Sequence, residues 1–369
     1  MSNRSGGFIG QCGLKAPDAP SAANPNVGGE TSLTLTITPP NSCGDAPITC
    51  YIIKGKDNLG NFISSTRTGL TGSITGLTCG RNYCFQVAAQ NAYGTSPFSD
   101  FTAAGTPSIL CGQQEYTTPG SYSWTAPDGV SCVSVVAIGG GGAGGGNGGG
   151  SAGSLGYKNA IPVTAGCSYT VVAGAGGVNC CSGGTSYFKC TALVAGCGGF
   201  GYRCGCNYCC VCFIGDGGGK GGSSINGGKG SGAGAGGYCG TGGSYVVNFT
   251  SCGNPGDSGS GAAGSGAMVA GPAEASGGGG GVSIYGIGST GLGGCVNDGC
   301  AFGGRPGSGG CCGTFGNGCC GSGCGGNGGI YGGAGGGGYT GSSCGAKGAL
   351  RIIWPGDTRQ FPSTQTGDL

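Results

Sequence analysis

The chain has 369 residues, of which 100 are glycine and 27 are cysteine, while charged residues make up only 8% and the formal net charge is +2. So low a charge excludes the charge-rich composition that usually goes with disorder, and the clustered Lys and Arg with which proteins hold nucleic acid. No run of about 20 apolar residues occurs, so a membrane-embedded chain is not expected, and at about 150 residues each the length allows two or three domains.

Residues 1–15 read as an N-terminal arm. Their opening, MSNRSGGFIG, has no apolar core of the kind a signal peptide needs. With so many cysteines, this suggests either release by cell lysis followed by oxidation, or a precursor segment missing from the sequence. Gly7, Phe8 and Ile9 are the candidate assembly residues, placed to add a strand to a neighbouring copy.

Residues 16–107 have nearly ordinary composition and alternate with the two-residue period of half-buried strands. SLTLTITPP puts Leu33, Leu35 and Ile37 on one face. ITCYIIKGKDNLGNFISST reads as strand, turn and strand, SITGL as a short strand, and RNYCFQVAAQNAYG as a strand that turns Tyr83, Phe85, Val87 and Ala89 inward. Short strands separated by Pro, Gly and Asn turns form a β-sandwich pattern. The lead-in APDAPS and the stretch GLTCGRNYCFQVAAQNAYGTSPFS resemble the fibronectin type III family. That resemblance implies a corner built on Leu77 and Tyr83. It also marks a departure, because Ile37 stands where the family often has a tryptophan. Cys43, Cys50, Cys79 and Cys84 could add cross-links whose pairing the sequence does not give.

Residues 108–115 read as a linker, and 116–355 as a second domain followed by a tail over 356–369. In that domain EYTTPGSYSWTAPDGVSCVSVVAIGG gives two strands joined at Pro-Asp-Gly, with Tyr122 and Trp124 facing one way and Val133, Val135 and Ala137 alternating. GYKNAIPVTAGCSYTVVAGAGG supplies another pair of strands and ALRIIW one more. Glycine tracts fill 139–153, 215–237, 277–281 and 325–338, so the unit is expected to be closed by its own terminal strands.

Ordering a glycine costs about 0.5–1 kcal/mol more than ordering an alanine. These tracts have little side chain to bury, so order must come from backbone hydrogen bonds, worth about 1 kcal/mol each, and from cross-links. Polyproline II geometry allows this, since its amides point outward and only glycine lets such helices approach closely. The tracts lack a strict Gly-X-Y period, which excludes collagen. A Gly/Ser linker is the alternative, but cysteines are scattered through the tracts where a linker would carry none. The expected fold is therefore all-β, a fibronectin type III-like β-sandwich followed by a β-framed glycine-rich domain with packed polyglycine II helices.

SYSWTAPDGVSCVSVVAIGGGGAGGG, LGYKNAIPVTAGCSYTVVAGAGG and GAKGALRIIWPGDTRQFPSTQTGDL, in that order, resemble the glycine-rich domains of bacteriophage tail fibres and related virion proteins. The resemblance implies a non-enzymatic adhesive role in a virion or extracellular fibre. The partners it implies are copies of the same chain and a host-surface glycan or outer-membrane protein. The abundance of cysteine departs from that family. A second reading is a subunit of a self-assembling extracellular filament, joined by exchange of terminal strands.

No catalytic or cofactor-binding residue is expected. GDSG around Ser258 resembles a serine-protease nucleophile segment, but the chain has 0 histidines and cannot assemble a Ser-His-Asp triad. Lys220 and Lys229 lie among glycines without completing a phosphate-binding loop. The sequons at Asn3 and Asn248 are short patterns with a high chance rate. CGCNYCCVC holds Cys204, Cys206, Cys209, Cys210 and Cys212, read as a disulfide cluster, with zinc and free thiols as alternatives. The candidate surface-binding aromatics are Phe200, Tyr202, Tyr208, Phe213, Phe302, Phe315, Tyr331 and Tyr339. Each could contact a partner or simply cover the glycine bundle.

Overall fold

The computed structural model describes residues 13–29, 31–78, 80–108, 111–146, 148–202, 212–224, 230–245, 252–258, 262–269, 275–297, 300–301, 313, 325–338, 342–357 and 359–362. Gly7, Phe8, Ile9, Cys79, Cys204, Cys206, Tyr208, Cys209, Cys210, Phe302, Phe315 and Tyr339 lie outside them. Among the described residues there is no helix, and the fold is all-β with antiparallel pairing throughout. The chain divides into two compact units, the first of residues 1–110 with Pro127–Gly129 and the second of Cys111–Ala126 with residues 130–369.

The first unit runs through β1 (Ser21–Ala22), β2 (Asn26–Gly29), β3 (Ser32–Thr38), β4 (Cys50–Asp57), β5 (Phe62–Arg67), β6 (Thr71–Ile74), β7 (Tyr83–Asn91) and β8 (Gly94–Thr95). One sheet has the order β1-β3-β2 with β6 also on β3, and the other has the order β5-β4-β7-β8. The alternation in the sequence becomes the core between them: Leu33, Leu35, Ile37 and Ile74 meet Tyr51, Ile53, Tyr83, Phe85 and Val87. Ile37 takes the expected place of a tryptophan and is buried. The Leu77–Tyr83 corner forms as the resemblance implied, with the Thr78 amide donating to the Tyr83 hydroxyl at 3.0 Å. Cys50 pairs with Gln90 and Cys84 with Lys56, so these cysteines lie at opposite ends of the β4–β7 ladder and cannot bond to each other.

The β4–β5 turn is organised by Asp57. Its carboxylate accepts from the Leu59 amide at 2.9 Å, the Asn61 amide at 2.7 Å, the Asn61 side chain at 2.8 Å and Arg81 at 3.1 Å. Gly60 supplies the φ of +88° that closes the turn. The Asn61 side chain, with the two amides and Arg81, holds the Asp57 carboxyl below its ordinary value of 3.8 against the opposing effect of burial. The stability these bonds contribute is therefore complete above 3.8 and is lost as pH falls through the lower folded value. Calorimetry of Asp57→Ala from neutral to acid pH should give a first-unit transition that is lower at neutral pH and less sensitive to acid than that of the unchanged chain. Parallel pH profiles would refute this assignment.

The second unit contains β9 (Gly112–Tyr116), β10 (Gly120–Thr125), β11 (Cys132–Ile138), β12 (Leu155–Pro162), β13 (Ser168–Ala173), β14 (Ser186–Phe188), β15 (Val194–Gly196), β16 (Phe213–Ile214) and β17 (Gly217–Gly219). Short ribbons follow, β18 (Met268–Val269) with β19 (Ala275–Ser276) and β20 (Val296–Asn297) with β21 (Cys300–Ala301), before the last strand, β22 (Ala349–Trp354). Two sheets, β10-β13-β14-β15-β16 and β17-β12-β11-β22-β9, enclose a core of Trp124, Val133, Val135, Ile161, Val171, Phe188, Leu350 and Ile352. The last strand lies between β11 and β9, so the unit is closed by its ends.

Three features differ from the sequence reading. The linker expected over 108–115 overlaps residues 112–116, which form edge strand β9 along β22. GQQEY lacks apolar alternation because Gln113 and Glu115 serve Arg351 through their polar tips and only Tyr116 packs on the first core. The tail is not wholly free, since Phe361 is buried against Tyr157 and Tyr238. β11 is buried on both faces, because Val136 and Ile138 pack with Leu155, Tyr238, Val282, Ile284 and Ile353 on the side away from the first core.

Candidate functional site

The glycine-rich segments that extend from the ends of these strands bond to one another through their backbones. Along residues 139–143 the amides donate in turn to Ser154, Gly184, Ala346, Ser151 and Cys181. The first and fourth partners belong to one neighbouring segment, and the second and fifth to another. Residues 150–154 repeat the pattern, donating to Gly335, Phe200, Gly222, Gly332 and Cys197. From 232 to 237 the partners are Gly277, Gly150, Gly243, Gly280, Gly153 and Gly240, so that two neighbours run parallel and one antiparallel. Each segment thus addresses three neighbours with a period of three residues.

The spacing between segments admits no side chains at the contacts. A Cβ added at Gly141, Gly153 or Gly279 would lie within 3.0 Å of the carbonyl oxygen of Gly333, Gly139 or Ala233 respectively. Where three segments leave a gap, alanine fills it, and Ala152, Ala233 and Ala334 form a small buried cluster.

The described candidate aromatics separate into two groups. The Phe200 carbonyl accepts from Ser151, and the Tyr202 amide donates to Ala143, so both residues are held by the lattice while their rings remain half-exposed. The Tyr202 ring lies against Gly146. Phe213, also half-exposed, is on β16. Tyr331, also half-exposed, packs on the second core, with the Lys347 ammonium 5.9 Å above its ring.

Sequence reasoning did not find Arg351. It lies on β22, is 0% exposed, and donates through Nε to Gln113 at 2.8 Å, through Nη2 to the same oxygen, and through Nη1 to the Ile284 carbonyl at 3.4 Å. Glu115 lies 3.9 Å away, and the Tyr285 ring sits over the guanidinium while its hydroxyl donates to Glu115 at 3.0 Å. Burial pushes the Arg351 guanidinium below its ordinary value, and Glu115 opposes that shift. Nearby, burial raises the Tyr238 hydroxyl, which donates to the Ser283 carbonyl at 3.0 Å and accepts from Gly286 at 2.9 Å. The first arrangement joins a glycine-rich segment to the sheet and the second joins two such segments to each other, and only the type of residue in ALRIIW could have signalled the first.

In the first unit an open cleft of about 590 Å³ is lined by Lys56, Asn58, Asn82, Cys84 and Phe101. Among the described residues, no group of three or more metal-capable side chains is gathered, and no helix is long and apolar enough to cross a membrane.

The fibronectin type III family matches residues 18–104. Ankyrin repeat and fibronectin type-III domain-containing protein 1 of Danio rerio is 36% identical over 89 residues, which cover 22% of this chain and 6% of that protein. The match thus spans only a small part of that relative's length. A titin module from human cardiac muscle is 29% identical over 24% of this chain and 91% of its own, with a TM-score of 0.23. The twitchin kinase region of C. elegans is 24% identical over 25% and 17%, with a TM-score of 0.24. The sandwich topology, the Leu77–Tyr83 corner and the family match agree that residues 18–104 form a fibronectin type III domain.

Proposed function

We propose that the chain is a non-enzymatic structural and adhesive component of a phage or phage-like fibre. In it, the fibronectin type III domain serves as spacer or docking unit and the glycine-rich unit as the environment-facing platform. The observation that carries this reading is the three-residue period of hydrogen bonding between glycine segments. Three residues per turn with outward-pointing amides is the geometry of polyproline II, which supports packed polyglycine II helices. Such a lattice is stiff without a large apolar core, and it holds Phe200 and Tyr202 half-exposed, where aromatic rings can stack on sugars or fill a partner's pockets. The order of the sequence islands, which resembles that of tail-fibre domains, is the reason for the proposed setting.

Two measurements test the proposal. Hydrogen exchange should find the amides of 139–143, 150–154 and 232–237 protected to nearly the level of β11, and exchange at free-peptide rates would reduce the unit to a spacer. Immunogold electron microscopy with antibodies to the purified chain should label the outer end of a particle's fibre. Long fibres formed by the purified chain alone, lost when residues 1–10 are deleted, would instead make it a filament subunit.

A further inference from the structure

Two pairs of cysteines meet at the rim of the second unit. Cys197 and Cys212 have their sulfurs 3.2 Å apart, and Cys252 and Cys295 have theirs 2.6 Å apart. Neither approach is a chance touch of long side chains. Gly196 is the register partner of Phe213 in the β15–β16 ladder, so Cys197 and Cys212 are the next facing pair, and the Cys197 amide donates to the Cys212 carbonyl at 3.3 Å. The Ser154 hydroxyl donates to that carbonyl at 2.6 Å. Likewise the Gly253 amide donates to Gly294 at 2.6 Å, which sets Cys252 opposite Cys295. In both cases the backbone, not the sulfur, fixes the approach.

We propose that Cys197 with Cys212, and Cys252 with Cys295, are specific disulfide-forming pairs that seal the glycine-rich unit when it meets an oxidising environment. Only the setting, exposure to such an environment, rests on the proposed function.

Cys212, Cys252 and Cys295 are exposed and Cys197 is half-buried. A small-molecule disulfide can therefore reach each pair from outside. At the first pair, the Cys212 thiolate attacks one sulfur of that molecule, whose S–S bond breaks and releases one thiolate. The Cys197 thiolate then attacks the Cys212 sulfur of the mixed disulfide and releases the second thiolate. Two protein thiols lose two protons and two electrons, and the external disulfide is reduced to two thiols. Burial, with the Cys212 thiol beside it, pushes the Cys197 thiol up to about 12, so this pair should close more slowly than the more exposed one.

The bonds close loops of different lengths, with partners 15 and 43 residues apart in sequence. The shorter loop contains in sequence the four other cysteines of the CGCNYCCVC stretch. The longer one carries segments 262–267 and 277–282 of the hydrogen-bonded lattice. Among the described residues no third metal-capable side chain joins either pair, which favours a covalent bond over a bound metal.

Peptide mapping of the full chain tests this. The protein is purified reduced, oxidised with oxidised glutathione, blocked with an alkylating reagent while folded, and digested without reductant. Trypsin cleaves after Lys189, Arg203 and Lys220, so a Cys197–Cys212 bond joins peptides 190–203 and 204–220, and fragmentation of the joined species by mass spectrometry tells it from bonds through Cys190 or the other cysteines of the second peptide. Chymotrypsin cleaves after Tyr285, between Cys252 and Cys295, and fragmentation likewise tells Cys295 from Cys300 on the same peptide. Recovery of both linked species, with the second appearing first in a time course, is the expected result. Either pair recovered alkylated after complete oxidation, or linked mainly to other cysteines, overturns the proposal. Reduction should also lower the Tm of the second unit by about 10 °C, and an unchanged Tm would show that the bonds do not seal it. Failure of the mapping leaves the fibre proposal standing, because immunogold labelling does not depend on it.

Discussion

Replacing Gly153 by alanine lowers stability by about 3 kcal/mol, whereas the same change at Gly230 leaves it within about 0.5 kcal/mol. Gly153 donates to the Gly332 carbonyl at 2.8 Å, and an added Cβ would meet the Gly139 carbonyl oxygen well inside 3.0 Å. Neither neighbour is a flexible side chain, so the backbone segments must separate, and each bond stretched between them weakens in turn. At Gly230 the nearest atoms to an added Cβ are the Gly149 nitrogen at 3.7 Å and Tyr245 carbons at 3.8 and 4.0 Å, ordinary packing distances. Scanning calorimetry should separate the two variants by roughly 6–12 °C in Tm for a unit of this size. Equal Tm values would mean that the segments are not in contact through their backbones.

Arg351→Ala costs about 3–5 kcal/mol, the range for removing one partner of a buried charged group. The truncation leaves Gln113 and the Ile284 carbonyl without their donor, removes the cation from beneath the Tyr285 ring, and leaves Glu115 with the Tyr285 hydroxyl but without its counter-charge. Arg351→Met keeps much of the stem packing and should lose less. Adding Glu115→Leu to the methionine variant should recover part of that loss, because an apolar pair of similar volume carries no desolvation penalty. Thermal denaturation followed by Trp124 and Trp354 fluorescence reads the effect, since both tryptophans lie in or against the first core of this unit. An alanine variant as stable as the parent would show that Arg351 does not tie the glycine-rich segments to β22.

The first unit was legible because its strands spell their own pairing. SLTLTIT and YCFQVAA alternate, and the buried residues Leu33, Leu35, Phe85 and Val87 are those the period places inward. β9 was not legible, because an edge strand of polar residues has no alternation to read. β11 announced one face only. Its second face is covered by Tyr238, Val282 and Ile284, which stand so far apart among glycines that no period connects them. Arg351 was hidden for the same reason, since in ALRIIW it occupies the position of a solvent-facing residue until the covering segments are in place.

The glycine tracts show a different limit. Their composition indicates that backbones can meet but not which ones, because partner choice in a sheet is carried by side-chain pattern and these segments have almost none. The half-exposed placement of Phe200 and Tyr202 likewise follows from Ser151 and Ala143, residues distant in sequence that no local pattern links to them.

The three-residue rotation of bonding partners has a consequence for how such a chain can change in length. One residue inserted within a tract turns every later amide toward the wrong neighbour, and a second insertion does not repair it. A third completes the turn, and the tract is longer by one full repeat with its partners restored. Growth of these segments is therefore quantised, while the connections beyond their ends are under no such rule and are free to vary residue by residue.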